Sequence, residues 1–396
     1  MPTLEQLSGF YLAQLREQIL PFWLKHAPDR KHGGYFTCLD RDGSVYEEDK
    51  VCMWAPGRIA WTFAYLYNEL EADPAWLDFA RLGVDFTRQH GFRPDGRMYY
   101  GLKRDGTPLA APAGFAAEQS TVQGWVAYAQ ATRGEGLYRE ARRLFDRTWA
   151  ALQDPAGGAS PRLPESGPIR LHGSSMITLN VIHQLRSYRE EPSDAERLDV
   201  CIDAIRRFHL RPKQKVLLEM TGWNGEDLPG SQGRRVNPGH MIEGGIFLIH
   251  EATHRADAAL KQLGLDLIRW GYEWGWDREF GGIFNDCDTE GRPIADCREI
   301  LLADCKLWWQ HAEALYALLL AYAESGDGWF LQAYEKVHAY SFSHFADPEY
   351  GEWFAYLDRT GRLVNAAKGT DRKTCFHIAR NFFWCARLAQ RWAKPA

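Results

Sequence analysis

Histidines, glutamates and arginines recur one turn into apolar helical segments, at intervals that put them on one face. GRRVNPGHMIEGG places His240 and Glu243 at i and i+3, and KTCFHIARN places His377 and Arg380 at the same interval, the spacing that brings helical side chains together. DCKLWWQHAEAL carries Lys306, Trp308, Trp309, His311 and Glu313, and MWAPGRIAW carries Arg58. Imidazole titrates near neutral pH, so paired histidines among carboxylates and guanidinium groups have the composition of a proton-transfer site. One such histidine alone would be read as a cap or a core group; recurrence at equivalent helix starts argues for a set. Two other chemistries compete. HEATH, His250–His254, matches the HExxH zinc pattern, with Glu273 downstream as a third ligand. His250 is ten residues beyond His240, about 15 Å along the helix and toward its other end, which argues against zinc hydrolysis. GSQGRR, Gly230–Arg235, is glycine-rich and basic, but without the context of a phosphate loop it reads as a loop entering a helix.

The elements that must position these residues come as a repeat. HGGYFTCLDRDGSVYEEDK from His32, DGRMYYGLKRDGTPLA from Asp95, FGGIFNDCDTEGRPIADCRE from Phe280 and YGEWFAYLDRTGRLVNAAKG from Tyr350 share one phrase. Each is a glycine turn, a short aromatic strand, a second turn and a second strand, which is β-hairpin grammar. Degenerate copies lie at Asp154–Pro164 and Glu219–Gly230. The marker glycines 34, 96, 158, 225, 282 and 351 are 62, 62, 67, 57 and 69 residues apart, so six units fill the chain. Between hairpins the apolar spacing is helical. It predicts twelve helices, near 4–26, 54–71, 76–90, 116–133, 136–152, 172–189, 194–208, 238–254, 257–275, 303–324, 328–345 and 374–393. Leu4, Leu7, Tyr11 and Leu15 give a one-faced outer helix, whereas Ile242–Ile249 and Leu315–Leu320 are apolar nearly all round. The expected fold is all-α: an (α/α)6 barrel or toroid of twelve helices, with hairpins and inner-helix starts at one mouth. A linear solenoid is the competitor, but its repeats are shorter and carry no long hairpin. No linker interrupts residues 1–396, which are read as one domain.

Composition excludes other classes. The net charge of −5 comes from 47 basic and 52 acidic residues that are well mixed, so no nucleic-acid face is expected. No run of apolar residues approaches a membrane span and the N-terminus has no secretory plan. The 8 cysteines never form CxxC, so neither a disulfide framework nor a cysteine zinc site is expected, and the reading is a reduced, cytoplasmic protein. The 16 tryptophans, 17 tyrosines and 20 phenylalanines exceed what core packing alone calls for and suit sugar rings.

The runs DLPGSQGRRVNPGHMIEGGIF, KLWWQHAEAL, DPEYGEWFAYLDRTG and CFHIAR resemble the N-acylglucosamine 2-epimerase family. The resemblance covers about residues 10–390, and NPGHxxE favours the N-acylglucosamine branch over the cellobiose 2-epimerase branch. It implies an (α/α)6 barrel, and an isomerase that inverts C2 of a reducing sugar with two histidines, here His240 and His377. It also implies that Arg58, Glu243, Glu313 and Arg380 surround them. Glu313 is expected to orient His377, Glu243 to orient His240, and Arg58 to stabilise the enediolate oxygen. No metal or redox cofactor is required; ATP is an effector of some relatives, and a homodimer is expected. The substrate expected is N-acetylglucosamine with N-acetylmannosamine. The alternatives are a free aldose such as glucose or mannose, epimerised or isomerised to the ketose, a glycoside hydrolase built on Glu243 and Glu313, and a non-catalytic binding protein.

The chain departs from the family pattern at four inner-helix starts, Trp54–Arg58 and Ile378–Ala379 among them, and at two of these the change bears on the substrate wall. His172, Ser174, Ser175 and Met176 open the sixth helix, and Glu118, Gln119 and Ser120 open the fourth. These segments are expected to line the sugar wall, with Lys306, Trp308, Trp309 and Arg380 as further substrate contacts. Of the tryptophan pair, one ring is expected to pack inward and one to line the pocket.

Overall fold

A computed structural model describes residues 4–111, 114–155, 162–163, 167–291 and 302–393. Parts of the third and fifth hairpins, 156–161, 164–166 and 292–301, fall outside the described residues. The expected twelve helices are present. The first, α1, is one continuous rod of Leu4–Ala13, a π-helical turn Gln14–Ile19 and Leu20–His26. The π-turn comes from Pro21, which has no N–H to give the ladder; the preceding Leu20 N–H reaches back to the Leu15 carbonyl instead. The others are α2 Trp54–Glu69, α3 Pro74–His90, α4 Ala116–Thr132, α5 Glu135–Leu152, α6 His172–Tyr188, α7 Pro192–Ala204, α8 Pro238–Arg255, α9 Ala258–Gly275, α10 Trp308–Ser325, α11 Gly328–His344 and α12 Phe376–Ala393. Asp73, Asn237, Asp257 and Asp327 cap α3, α8, α9 and α11, each accepting a backbone N–H of the first turn.

The even-numbered helices form the inner ring. Each packs on the next, and α12 packs on α2, which closes the circle and rules out a linear solenoid. Outer helices fill behind them, with α1 against α12. Close approach is required between α2 and α4: a Cβ on Gly57 would stand 2.4 Å from the Ser120 backbone. That contact brings the following residue, Arg58, into the ring's centre.

The hairpins precede the inner helices as expected, but their strands also pair between units. Residues 169–171 pair with 220–222, 235–236 with 287–288, and 306–307 with 356–357. Bridges Lys50↔Leu102 and Leu39↔Gly369 join the first unit to the second and the last to the first. This pairing explains why α10 starts at Trp308 and not near 303: Lys306 and Leu307 are held as strand.

One ionic device recurs in this collar. Asp29, Asp277 and Asp347 each open the loop after an outer helix. Each is buried against a lysine of its own unit: Lys50 at 2.9 Å, Lys306 at 3.3 Å and Lys368 at 2.9 Å. Each also receives an arginine from the next unit, respectively Arg104, Arg359 and Arg41. The arginines come from the second turn of the repeated phrase, so the phrase carries the bolt that locks one unit to the next. Lys306 was expected to bind sugar. It is instead consumed here, its ammonium also donating to the Gly281 and Arg359 carbonyls.

The two cations of a bolt should differ in worth. Lys306 is fully buried, whereas the Arg359 side chain is 44% exposed. Lys306→Met, which leaves Asp277 buried without its lysine, is expected to lower unfolding free energy by about 3–5 kcal/mol. Arg359→Ala, at a solvent-screened cation, should cost clearly less. Urea unfolding followed by tryptophan fluorescence measures both; equal losses would contradict this reading of the collar.

Candidate active site

Inner helices α2, α8, α10 and α12 converge at their first turns, and the residues there meet. His377 is buried. Its Nδ1–H donates to Glu313 Oε1 at 2.6 Å, and its Nε2 lies 3.2 Å from Arg58 Nη1. A guanidinium only donates, so Nε2 is the acceptor and carries no proton. Burial first, then the positive charge of Arg58, holds the His377 imidazole well below its ordinary pKa. Arg58 itself lies between the rings of Trp54, at 5.1 Å, and Phe376, at 4.8 Å, an aromatic sandwich that steadies a desolvated cation.

Glu313 is the hub of α10 and α12. Its Oε1 also accepts from Asn381 Nδ2 at 2.8 Å and from Arg380 Nη2. The same Arg380 nitrogen donates to Glu243 Oε1 at 2.6 Å. Glu243 therefore serves Arg380 and not His240, contrary to expectation.

His240 is oriented by Glu219, a residue outside the helix-start sequence motifs. Its Nδ1 lies 3.0 and 3.1 Å from the two Glu219 carboxylate oxygens. Burial lowers the imidazole's pKa, but the Glu219 charge and hydrogen bond outweigh it, and the result is about 8. On the other side of the pair, burial raises Glu219 while His240 and Arg235 bring it down to about 2. Backbone pairing puts Glu219 there: its carbonyl accepts from His172 N and its N–H donates to the Arg235 carbonyl. Asn237, the α8 cap, fixes the backbone of His240 by accepting its N–H at 2.9 Å.

Between the imidazoles stands Trp309, its ring centre 5.2 Å from that of His240 and 5.5 Å from that of His377. Gly239 leaves the room: a Cβ there would come within 2.5 Å of the indole. The tryptophan pair divides as expected, since Trp308 is buried edge-on against Tyr356 at 5.7 Å.

The fourth and sixth helix starts do not form the expected wall. Glu118 accepts from Arg97 and from the Met98 N–H, which ties the second hairpin down. Ser174 and Ser175 face a lateral cavity of about 330 Å³ whose lining includes Trp149, Arg170, Cys201 and Trp223. Gln119 is tied to Thr178 at 2.7 Å. His172 and Met176 do point inward, toward Gly244 of α8. His172 is buried beside the His240 backbone, and burial takes its pKa down to about 4.

Glu243, Glu313 and His377 offer ligand atoms within 4.8 Å of one another, the one such group among the described residues. Arg380 already bridges both carboxylates, so a metal there would meet a guanidinium. The HExxH residues do not assemble: His250 bonds Tyr316 at 2.9 Å, Glu251 holds His183 and Arg186, and His254 pairs with Glu190. Glu273 is exposed.

Comparison with known proteins identifies the family. Residues 34–380 match the family model for N-acylglucosamine 2-epimerase (GlcNAc 2-epimerase). The chain is 35% identical over 393 residues to N-acylglucosamine 2-epimerase of Bos taurus, covering 95% of this chain and 90% of that protein. The structure of cellobiose 2-epimerase from Spirochaeta thermophila superposes with a TM-score of 0.84 at 20% identity, over 99% of this chain and 98% of that one. A D-mannose isomerase structure gives 0.82 at 17%, over 96% and 97%, and both likenesses show the shared barrel. Among the described residues no helix is long and apolar enough to cross a membrane. A ring of twelve helices with paired histidines at its mouth, matched over nearly its whole length, places this chain in the N-acylglucosamine 2-epimerase family of carbohydrate 2-epimerases.

Proposed function

We propose that the protein interconverts N-acetylglucosamine and N-acetylmannosamine by moving protons at C2 of the open-chain sugar between His240 and His377. The observation that carries this reading is the opposite surroundings of the two imidazoles, His377 Nε2 facing the Arg58 guanidinium and His240 Nδ1 facing the Glu219 carboxylate. His377 presents a bare Nε2, held that way by Arg58, while His240 is kept protonated by Glu219. Separated pKa values in one site assign a base and an acid. The choice of sugar rests on the 35% identity to the bovine enzyme.

The aldehyde at C1 acidifies the C2 hydrogen. His377 Nε2 takes that proton from one face, and the electron pair becomes the C1–C2 double bond, leaving charge on O1. Arg58, already at His377 Nε2, is the cation placed to receive that oxygen, and a donor so placed is worth about 10²–10³-fold. His240 then delivers its proton to the opposite face of C2, the aldehyde reforms, and the centre is inverted. The reverse reaction uses the complementary protonation state. Trp309 forms the floor between the two bases, against which the sugar chain lies.

His240→Asn and His377→Asn should each lower epimerisation at least about 10³-fold, in line with the loss of a positioned acid or base, with the fold retained. Proton NMR of N-acetylglucosamine with each variant checks this; turnover near the parent rate in either would overturn the two-histidine reading. With a panel of reducing sugars, N-acetylglucosamine should be inverted faster than glucose, mannose or cellobiose; a preference for a free sugar would reject the N-acyl substrate but not the mechanism.

The pH profile of kcat/KM should be bell-shaped. The alkaline limb, where His240 loses its proton, lies near 8, and the acid limb, where His377 gains one, lies below 6.5. Glu219→Gln removes the charge that raises His240 and leaves burial, which lowers it. Its alkaline limb should therefore move down by about one pH unit or more. An unmoved limb would show that Glu219 does not set the acid.

A further inference from the structure

The loops that follow α1, α9 and α11 are copies of one another. In each, the residue four after the aspartate donates its N–H to the aspartate carbonyl, and the aspartate N–H donates to the carbonyl of the next residue. Those next residues are Gly34, Gly282 and Glu352, with φ of +68°, +78° and +57°. Two copies thus use glycine for a left-handed conformation, and the third puts a glutamate there, a backbone setting that costs a side chain strain. The glutamate is also buried, and its Oε1 has no hydrogen-bond partner. A strained and incompletely satisfied carboxylate held where its sister loops use glycine points to work done by the carboxylate.

Its other oxygen shows what that is. Glu352 Oε2 pairs with the fully buried Lys373 and accepts the Trp353 N–H at 2.7 Å. Lys373 donates in turn to the Lys368 carbonyl at 2.9 Å, while its own N–H goes to Thr370. The turn 368–373 is therefore wound about this one ammonium, and it runs straight into α12, which starts at Phe376 and carries His377 and Arg380. On its other flank the Lys373 ammonium lies 5.7 Å from the Trp308 ring, the neighbour of Trp309. Neither the ion pair nor the strain is needed to build the loop, since the first and fifth units make the same loop without them.

We propose that the Glu352–Lys373 pair is the positioning element for His377, registering the start of α12 against α10 so that the imidazole sits at its catalytic place. The proposal rests on the two-histidine reading above. Glu352 and Lys373 act through His377 and are positioning residues.

The test is the double variant Glu352→Gly/Lys373→Met, which gives the sixth unit the glycine of its sister loops and removes the orphaned charge. Glu352→Gln, which keeps the shape and the Trp353 acceptor, is the second variant and carries the test if the double variant does not fold. In deuterated water, with each N-acetyl epimer supplied separately, C2 hydrogen exchange and inversion are followed by NMR. The expected result is a thermal midpoint within a few degrees of the parent, kcat for inversion down at least about tenfold, and KM changed less than about threefold. One epimer, the one that His240 deprotonates, should still exchange its C2 hydrogen near the parent rate. Inversion at the parent rate, or equal loss of exchange from both epimers, would overturn the positioning role. Absence of C2 exchange in the parent protein would instead defeat the two-histidine reading.

Discussion

A single carboxylate oxygen, Oε1 of Glu313, receives N–H groups from His377, Arg380 and Asn381, and the candidate site is organised around that convergence. Glu313 stands on α10 and its three donors on one face of α12, so the oxygen sets the rotation of one inner helix against the other. Through Arg380 the constraint extends to Glu243 on α8. It also decides a tautomer: with Nδ1–H committed to Glu313, the free electron pair of His377 has to be at Nε2, where Arg58 lies. A buried charge with this many partners is costly to disturb, because each lost donor leaves a desolvated group behind.

Such a hub requires a rigid frame, since the residues it joins are separated by up to 137 positions in the chain. The frame is the collar. Strand pairing between units and the Asp–Lys–Arg bolts hold neighbouring hairpins in register, and the bridge from Leu39 to Gly369 joins the last unit to the first. The inner helices hang from this collar by their first turns, so the site gathers where the ring is most constrained. Outer helices supply bulk behind it and contribute no group to the proton chemistry.

Much of this was legible in the sequence because it is periodic or local. The repeat counted six units, the all-round apolar segments marked inner helices, and charged residues one turn into those helices marked the mouth; Arg58, His240, Glu313, His377 and Arg380 are brought together there. What was not legible depends on tertiary geometry. Glu219 lies on a strand of a degenerate hairpin, and only pairing across the sheet carries it to His240. Lys306 carried no local sign that Asp277, 29 residues earlier, would take it. Ser175 and Met176 are adjacent, and the turn of about 100° between successive helical residues sends one to a lateral cavity and the other to the interior. Glu352 looked like one more member of an aromatic hairpin phrase, because the repeat aligned Gly351 with Gly34 and Gly282, whereas the loop hydrogen bonds put Glu352 at that left-handed place.

The proposed chemistry needs two imidazoles that differ in charge at neutral pH, one facing Glu219 and the other Arg58. Titrating both rings by nitrogen-15 NMR in the unliganded protein, with His240→Asn and His377→Asn to assign the signals, measures this directly. The predicted result is one imidazole titrating near 8 with its proton shared toward a carboxylate, and a second still neutral well below 6.5 with Nδ1 protonated and Nε2 bare. Two imidazoles titrating together near the ordinary value, or His377 protonated at neutral pH, would contradict it.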